Sequence, residues 1–515
     1  VSWESEIEEL RRREALAREM GGAAKIARQH QAGRLTVRER IDALLDPGSF
    51  REVGALSGSA AYDERGSLTG LVATNFVFGR GLIDGRRVAV SGDDFTVRGG
   101  ASDASIIGKL VAAEQMAYEL RLPLVRLVEG SGGGGSVKSL ETLGYTYVPY
   151  LPGWEFMVRN LGTVPVVSLG LGPVAGFGAA KVVASHYSLL VRGLSQMFVA
   201  GPPVVAAVGQ KVTKEELGSS RIHASNGAVD DEVESEAEAF DRARRFLSYL
   251  PASVDELPAR GACADDPQRR DPSLLSAVPR DRRQVYRMRP IIESIVDRES
   301  FFEIGRLHGR SVITGLARLN GWPVAIMASD PFVLGGLWTA ASAAKTERFV
   351  SLAETFHLPV VHLVDVPGFT IGRQAEEEGT IRAGARALAA IYQASTPWCS
   401  IVIRKVFGVA GAGHADHTRF HYRYAWPSAD WGSLPIEGGI EAAYKGELEG
   451  AEDRGAKIAE IAERLNRMRS PFRSAEHFLI EDIIDPRDTR PLLCEFADLA
   501  APLRRHGTAA FTYRP

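Results

Sequence analysis

GLIDGRRVAVSGDDFTVRGG at residues 81–100 and ARLNGWPVAIMASDPFVLGG at residues 317–336 decide how this chain is organised. Laid one above the other, they pair Gly85 with Gly321, Val88 with Val324, Asp94 with Asp330 and Gly99 with Gly335, each 236 positions apart. The same offset pairs Lys109 with Lys345, Pro123 with Pro359, Val128 with Val364 and Gly132 with Gly368. One register held over about fifty residues predicts two copies of a single domain.

The length agrees. At 515 residues the chain exceeds one core of roughly 100–200 residues and suits two large domains. The polar, Pro-containing segment ELPARGACADDPQRRDPS (256–273) is the best linker, so the domains are expected at 1–262 and 263–515. Apolar content of 45% and charged content of 24% fit a globular protein, and a net charge of -3 points to neither a nucleic acid nor a membrane-surface partner. Cys263, Cys399 and Cys494 form no CxxC pair and no disulfide framework, which fits a reducing, cytoplasmic setting. The charged opening VSWESEIEELRRREALAREM has no apolar core of a signal peptide. No uninterrupted apolar run is long enough to predict a membrane helix.

Apolar, β-rich runs alternate with Ala-rich helical ones. RRVAV (86–90), PLVRLV (123–128), TVPVVSLGLG (163–172), WPVAIMA (322–328), PVVHLV (359–364) and WCSIVI (398–403) are apolar on both faces. They read as strands covered on both sides, in an α/β fold. Residues 3–30 read as an exposed helix with Ser5 and Glu8 as a capping box. GELEGAEDRGAKIAEIAERL (446–465) reads as a charged amphipathic helix. HADHTRFH (414–421) would place His414, His417 and His421 on one helix face. A polar face or pocket lining is the commoner meaning of such a pattern, and no metal is expected.

VEGSGGGGS (128–136) resembles a flexible linker, but it follows an apolar run and falls in register with VDVPG (364–368). It is a strand-to-helix junction inside the first copy. It is either a loop that lets backbone approach a ligand or a mobile surface loop. A second pair of junctions follows. TVPVVSLGLGPVAGFGAA (163–180) parallels STPWCSIVIRKVFGVAGAG (395–413), with Pro165 against Pro397 and Gly176 against Gly408 at an offset of 232. Small-residue turns of this kind present pairs of backbone N–H groups, and each such donor stabilises a developing oxyanion by roughly 3 kcal/mol. The chain has no GxSxG, Walker A, GxGxxG or HExxH sequence. These absences favour oxyanion stabilisation on a bound thioester or amide over a side-chain nucleophile.

With these motifs in place, the chain resembles the carboxyltransferase β subunits of biotin-dependent acyl-CoA carboxylases, the propionyl-CoA and methylcrotonyl-CoA carboxylase family. GRLTVRERIDALLDPGSF (33–50), SGDDFTVRGGASD (91–103), VTKEELGSSRIH (212–223), DVPGF (365–369), IRAGARAL (381–388), IRKVFG (403–408) and YAWPSA (424–429) are similar to family segments in the same order. The resemblance implies two tandem crotonase-like domains, one binding acyl-CoA and the other biotin, at a dimer interface, usually in a hexamer built as a trimer of dimers. It implies a carboxyl transfer in which carboxybiotin releases CO2, biotin N1 takes the α proton and the enolate attacks CO2. No Met-Lys dipeptide occurs in the chain. The biotin would therefore sit on a separate α subunit carrying the biotin carboxylase and carrier domains.

Carried onto this sequence, the first oxyanion hole falls at Gly176, Phe177 and Gly178 and the second at Gly408, Val409 and Ala410. Both depart from the family's Gly-Gly-Ala pattern. Phe and Val disfavour positive φ and add bulk, so either the pocket is reshaped around an intact hole or the activity is altered. Ser131, Gly132, Gly133 and Gly134 would border the acyl-CoA, without the family's arginine near position 135. Gly411 and Ala412 would adjoin the substrate. A small Ala412 with room at Gly411 and Gly413 suggests an acyl group larger than propionyl, although Phe177 would fill the same space. A biotin-independent decarboxylase or crotonase-like enzyme, and a non-catalytic carboxylase subunit, are the alternatives.

Overall fold

The two quoted segments fold as the same hairpin followed by the same turn. Hairpin corners Asp84-Gly85 (φ 50° and 77°) and Asn320-Gly321 (φ 51° and 81°) both take the left-handed conformation that a two-residue hairpin turn demands. Further on, Arg98-Gly99-Gly100 and Leu334-Gly335-Gly336 each hold three consecutive positive φ angles. The repeat read in the sequence is thus a repeat of backbone conformation.

The computed structural model of the chain describes residues 2–101, 104–130, 136–420, 422–511 and 513–515. Ser131, Gly132, Gly133 and Gly134 lie outside the described residues, as does His421. Two units emerge: Val1–Glu256 with Thr512–Pro515, and Leu257–Phe511. The segment 257–271 has no helix or strand, yet it is docked on the second unit. Its Gly261 N–H donates to the Gly321 carbonyl at 2.9 Å, and Arg269 donates to the carbonyls of Ser294 and Val296.

Each unit is built on an eight-stranded mixed sheet. In the first, β1 (Arg51–Glu52), β2 (Phe76–Ile83), β3 (Arg86–Asp93), β4 (Leu124–Gly130), β5 (Val166–Ala175), β6 (Tyr187–Val191) and β8 (Asp231–Val233) lie side by side, and β7 (Gln196–Phe198) pairs with the far end of β5. The second repeats this order with β9 (Phe302–Ile304), β10 (Val312–Leu319), β11 (Trp322–Ser329), β12 (Val360–Val366), β13 (Trp398–Phe407), β14 (Tyr422–Ala425) and β16 (Asp482–Ile483). Here β15 (Asp430–Gly432) branches from β13. The strands from β3 to β6, and from β11 to β14, run parallel. Apart from β14, whose first three residues are only half-buried, they are buried almost throughout, as apolar runs covered on both faces should be.

The helices follow the same duplication. The first unit includes α1 (Glu4–Arg18), α2 (Ala23–Gln31), α3 (Val37–Leu44), α4 (Ile107–Leu120), α5 (Trp154–Asn160) and α6 (Phe177–Val183) among its helices. The second includes α7 (Met288–Ile295), α8 (Ala340–Thr355), α9 (Thr380–Gln393) and α10 (Gly408–Ala412). No described helix is long and apolar enough to cross a membrane, and all three cysteines are free.

Three local expectations are corrected. The N-terminal helix breaks at Met20–Gly22, because Gly21 lies against Thr96, where a Cβ would sit 2.1 Å from the carbonyl oxygen. Ser5 is inside that helix and donates to Glu6, so it caps nothing. Reciprocal capping boxes stand instead at Thr36 with Glu39 and Thr213 with Glu216. The amphipathic segment 446–465 is two helices, Lys445–Glu449 and Arg454–Asn466, the second capped by Asp453.

One ion cluster ties the N-terminal helices to the first sheet. Arg40 of α3 donates to Glu129 at 2.5 Å, to both oxygens of Glu236 at 2.8 Å, and to the Leu171 carbonyl at 2.9 Å. Gln29 and Arg34 also reach Glu129, at 2.8 and 3.2 Å. Arg40, Glu129 and Glu236 are all buried. Removing one member of such a cluster leaves buried charge without compensation. Arg40→Met is expected to lower the stability of the first unit by about 3–5 kcal/mol, read as a reduced denaturant midpoint with no change in the second unit.

Candidate active site

The two small-residue junctions stand at corresponding places. β5 runs into Gly176 and then α6, and β13 runs through Phe407 into α10 at Gly408. Gly176 has φ 58° and ψ -122°, and Gly408 has φ 61°. Only glycine adopts such angles without strain. Phe177 and Val409 are absent from the residues with positive φ. The conformational demand that argued against Phe and Val is therefore met one residue earlier, by glycine.

Each junction opens a helix, and the first N–H groups of a helix have no intrahelical acceptor. Phe177 and Gly178 supply such groups in the first unit, and Val409 and Ala410 in the second. The Gly176 N–H is already spent on the Phe198 carbonyl at 3.1 Å. Gly178 lies close to the sheet, and a Cβ there would approach Val174 Cγ1 to 3.0 Å. Gly176 and Val409 are exposed, Phe177 and Gly178 are half-buried, and Ala410 is buried. Val409 is therefore open at the surface of the single chain, the first pair is partly covered, and Ala410 is enclosed.

The expectation of substrate room at Gly411 and Gly413 is corrected. A Cβ on Gly411 would sit 2.8 Å from the Val406 carbonyl carbon, and one on Gly413 would sit 2.6 Å from Leu388 Cδ2. These glycines are small so that α10 can pack against β13 and α9. Ala412, between them, faces solvent.

His414, His417 and their neighbours are not on a helix, because the chain turns irregularly from Gly413 to Phe420. His414 is buried and closes the turn below α10. Its Nδ1–H donates to the Gly411 carbonyl at 2.9 Å, and its own carbonyl accepts from Trp398 Nε1 at 2.8 Å and from the Ser400 hydroxyl at 2.7 Å. His362 Nδ1–H reaches the same carbonyl at 3.3 Å. His417 is exposed and bonded to the Ala412 carbonyl. No group of three His, Cys, Asp or Glu side chains among the described residues is arranged to hold a metal.

Two cavities lie away from the turns. One of about 440 Å3 in the first unit borders the Arg98–Gly100 turn and is lined by Lys25, Arg98, Thr74 and Ser105. Another of about 300 Å3 in the second unit is lined by Trp398, Arg419, Phe420 and Arg423. None of the six turn residues lines either cavity.

The sequence reading missed Trp154. Its ring packs on Phe177 at 6.2 Å between centroids, tilted by 54°. Trp154 opens α5 after Gly153, which takes φ 76°. A tryptophan beside a left-handed glycine was the available signal, but nothing local ties it to a turn more than twenty residues away.

A duplicated mixed sheet with a glycine-led helix start at the end of the matching strand in each unit is the architecture these turns belong to. Residues 28–510 match the carboxyl transferase domain, and the chain belongs to that family. It is 33% identical, over 98% of its length and 99% of the relative's, to a propionyl-CoA carboxylase carboxyltransferase subunit from Haloferax mediterranei. It is 30% identical, over 98% of its length and 97% of the relative's, to the α subunit of a methylmalonyl-CoA decarboxylase from Veillonella parvula. Among solved structures it is similar to transcarboxylase 12S, a hexameric assembly solved with methylmalonyl-coenzyme A bound. The TM-score is 0.87 and the identity 30%, over 100% of this chain and 98% of that one. The two units are thus tandem crotonase-like domains.

The support beneath the second turn is sensitive to acid. Burial holds His362 at about 4 and His414 at about 3, below the usual 6.5. Both stay neutral in the folded chain but protonate near pH 6.5 when it unfolds. Their penalty is absent above pH 6.5, grows as pH falls and saturates below the folded values. Each tenfold loss of proton affinity on folding corresponds to about 1.4 kcal/mol of that penalty. The second unit is expected to lose stability steadily from pH 6.5 to 4, and His414→Gln to flatten that slope in denaturation series read at each pH.

Proposed function

We propose that this chain is the carboxyltransferase subunit of a biotin-dependent acyl-CoA carboxylase, with Phe177 and Gly178 holding the thioester oxygen and Val409 and Ala410 holding the biotin ureido oxygen. The observation that carries this reading is the pair of equivalent turns, each with a glycine at φ near +60° at the start of a helix, as N-cap in the first unit and as first helical residue in the second. A ureido or thioester carbonyl is an acceptor without a donor, so two N–H groups match it. Biotin, carried on a separate subunit, supplies the carboxyl group and receives the α proton.

The chain's own part is positioning and charge stabilisation. As the α C–H bond breaks, negative charge collects on the thioester oxygen, and N–H groups fixed by the strand end need not reorganise to meet it. The net change would break the carrier's nitrogen–carboxyl bond and the α C–H bond, join the α carbon to the carboxyl carbon and leave the proton on the carrier nitrogen, so no oxidant or side-chain nucleophile is required. Lys25 and Arg98 give the first unit's cavity the positive charge that would receive the phosphates of coenzyme A. The open position of Val409 suits a site completed by a second copy of the chain, and the family resemblance points to a hexamer.

A biotin-independent decarboxylase is the second reading; the likeness to the methylmalonyl-CoA decarboxylase subunit favours the decarboxylation, and the need for biotin is decided by assay. The two separate cleanly. ATP- and bicarbonate-dependent carboxylation of an acyl-CoA with a biotinylated partner supports the first. Loss of CO2 from a carboxyacyl-CoA without that partner supports the second.

Proline at the first helical position keeps the helix and deletes one N–H. Phe177→Pro is expected to lower the transfer rate by about 10²–10³-fold, the usual effect of losing one oxyanion donor. Phe177→Ala retains the donor and separates its loss from loss of the ring. Equal rates for the two variants would remove Phe177 N–H from the hole.

A further inference from the structure

The first turn offers the substrate one side chain. Gly176 and Gly178 have none, and the next residue is Ala179. Phe177 is half-buried, so one part of its ring is covered and another faces outward. The covering partner is Trp154, itself half-buried, at 6.2 Å and 54°. That geometry lies within the range favoured by aromatic pairs, which contribute roughly 0.5–1.5 kcal/mol beyond area burial. The ring is therefore held by α5 rather than free to swing across the turn.

Position follows from the chemistry. An oxyanion bound by the Phe177 N–H lies about 3 Å from that nitrogen. The acyl carbon attached to it must then pass within a few bonds' length of Phe177 Cβ. Within this chain, the aromatic pair is the side-chain surface that borders the first turn on the way beyond the α carbon. At the matching place the second turn carries Val409, aliphatic and exposed, while Ala412 is small and Gly411 is packed on Val406, so the aromatic surface belongs to the first turn.

Resting on the oxyanion role assigned above to Phe177, we propose that Phe177 and Trp154 form the acyl-recognition wall and select coenzyme A thioesters with a branched or aromatic apolar body beyond the β carbon. The selectivity comes from burial of apolar area against two rings, for which even one methylene changes specificity by about tenfold or more. Propionyl, ending at its β carbon, gains little from the wall. An α hydrogen, or its vinylogous equivalent, remains necessary for enolisation.

The test is equilibrium binding of propionyl-, isovaleryl- and phenylacetyl-CoA to the full chain by calorimetry, without the biotinylated partner. The unmodified chain is expected to bind the two larger thioesters about tenfold or more tightly than propionyl-CoA. Phe177→Ala and Trp154→Ala should each abolish that preference. Trp154→Phe should restore part of it. Equal or tighter binding of propionyl-CoA by the unmodified chain overturns the proposal, as does a preference that survives both alanine variants. Reconstituted carboxylation is assayed on the same thioesters. A preference that disappears in the alanine variants, with no carboxylation of any thioester, would sink the carboxylase reading and leave the wall standing. Carboxylation without preference would do the reverse.

Discussion

A buried carboxylate near the end of the second parallel strand of each sheet sets the geometry of everything near the turns. Glu129 ends β4 and Asp365 occupies the matching place in β12, 236 positions on. Each must be neutralised where it stands, and the two units do so differently. Glu129 is long, and it reaches past Gly172 of β5, where a Cβ would lie 2.4 Å from its oxygen, to meet Arg40. Asp365 is shorter, and the residue matching Gly172 at the offset of 232 is Arg404. Arg404 donates to it directly at 3.1 Å, joined by the Tyr286 hydroxyl at 2.9 Å. A long acid beside glycine in one copy is a short acid beside arginine in the other.

The exchange has a consequence for the turns. Gly172 and Arg404 each stand four residues before Gly176 and Gly408. In both units the strand that delivers the N–H donors is thus fixed to its neighbour by a buried charge just before it turns. Gly100 and Gly336 complete the arrangement. A Cβ on either would come within 2.6 or 2.4 Å of the Glu129 or Asp365 carbonyl oxygen, so the preceding turn closes tightly onto the same strand end. Preorganised donors are effective only when their supports cannot yield. Fixed charge and absent Cβ atoms supply that support here.

The strands, the duplication and the two junctions were legible because each leaves a periodic or repeated trace: apolar runs, glycines in register and prolines in register. The ion clusters were not, since Arg40, Glu129 and Glu236 are far apart in sequence and meet only when three elements pack. Ser5 and Glu8 had the spacing of a capping box, but the helix starts before Ser5, so spacing alone was insufficient. His414 and His417 had helical spacing in a segment that turns instead, because the Gly411 and Ala412 carbonyls are taken by histidine rings. Gly411 and Gly413 were misread for a general reason. A missing side chain leaves space equally for a ligand or for a neighbour, and only the packing of Val406 and Leu388 decides which.

Catalysis by backbone donors separates two properties that side-chain catalysis joins. Where a serine or histidine acts, changing the residue changes the chemistry. In the proposed roles of Phe177 and Val409, the acting group would be common to every residue but proline, and the strained angle belongs to the glycine before it. The side chain at each position is then free of the mechanism and constrained only by what lies above the turn. A departure from small residues there is therefore poor evidence for lost activity. Under the proposed site it is better evidence for altered selectivity, because the side chain that departs would be the one nearest to the acyl carbon.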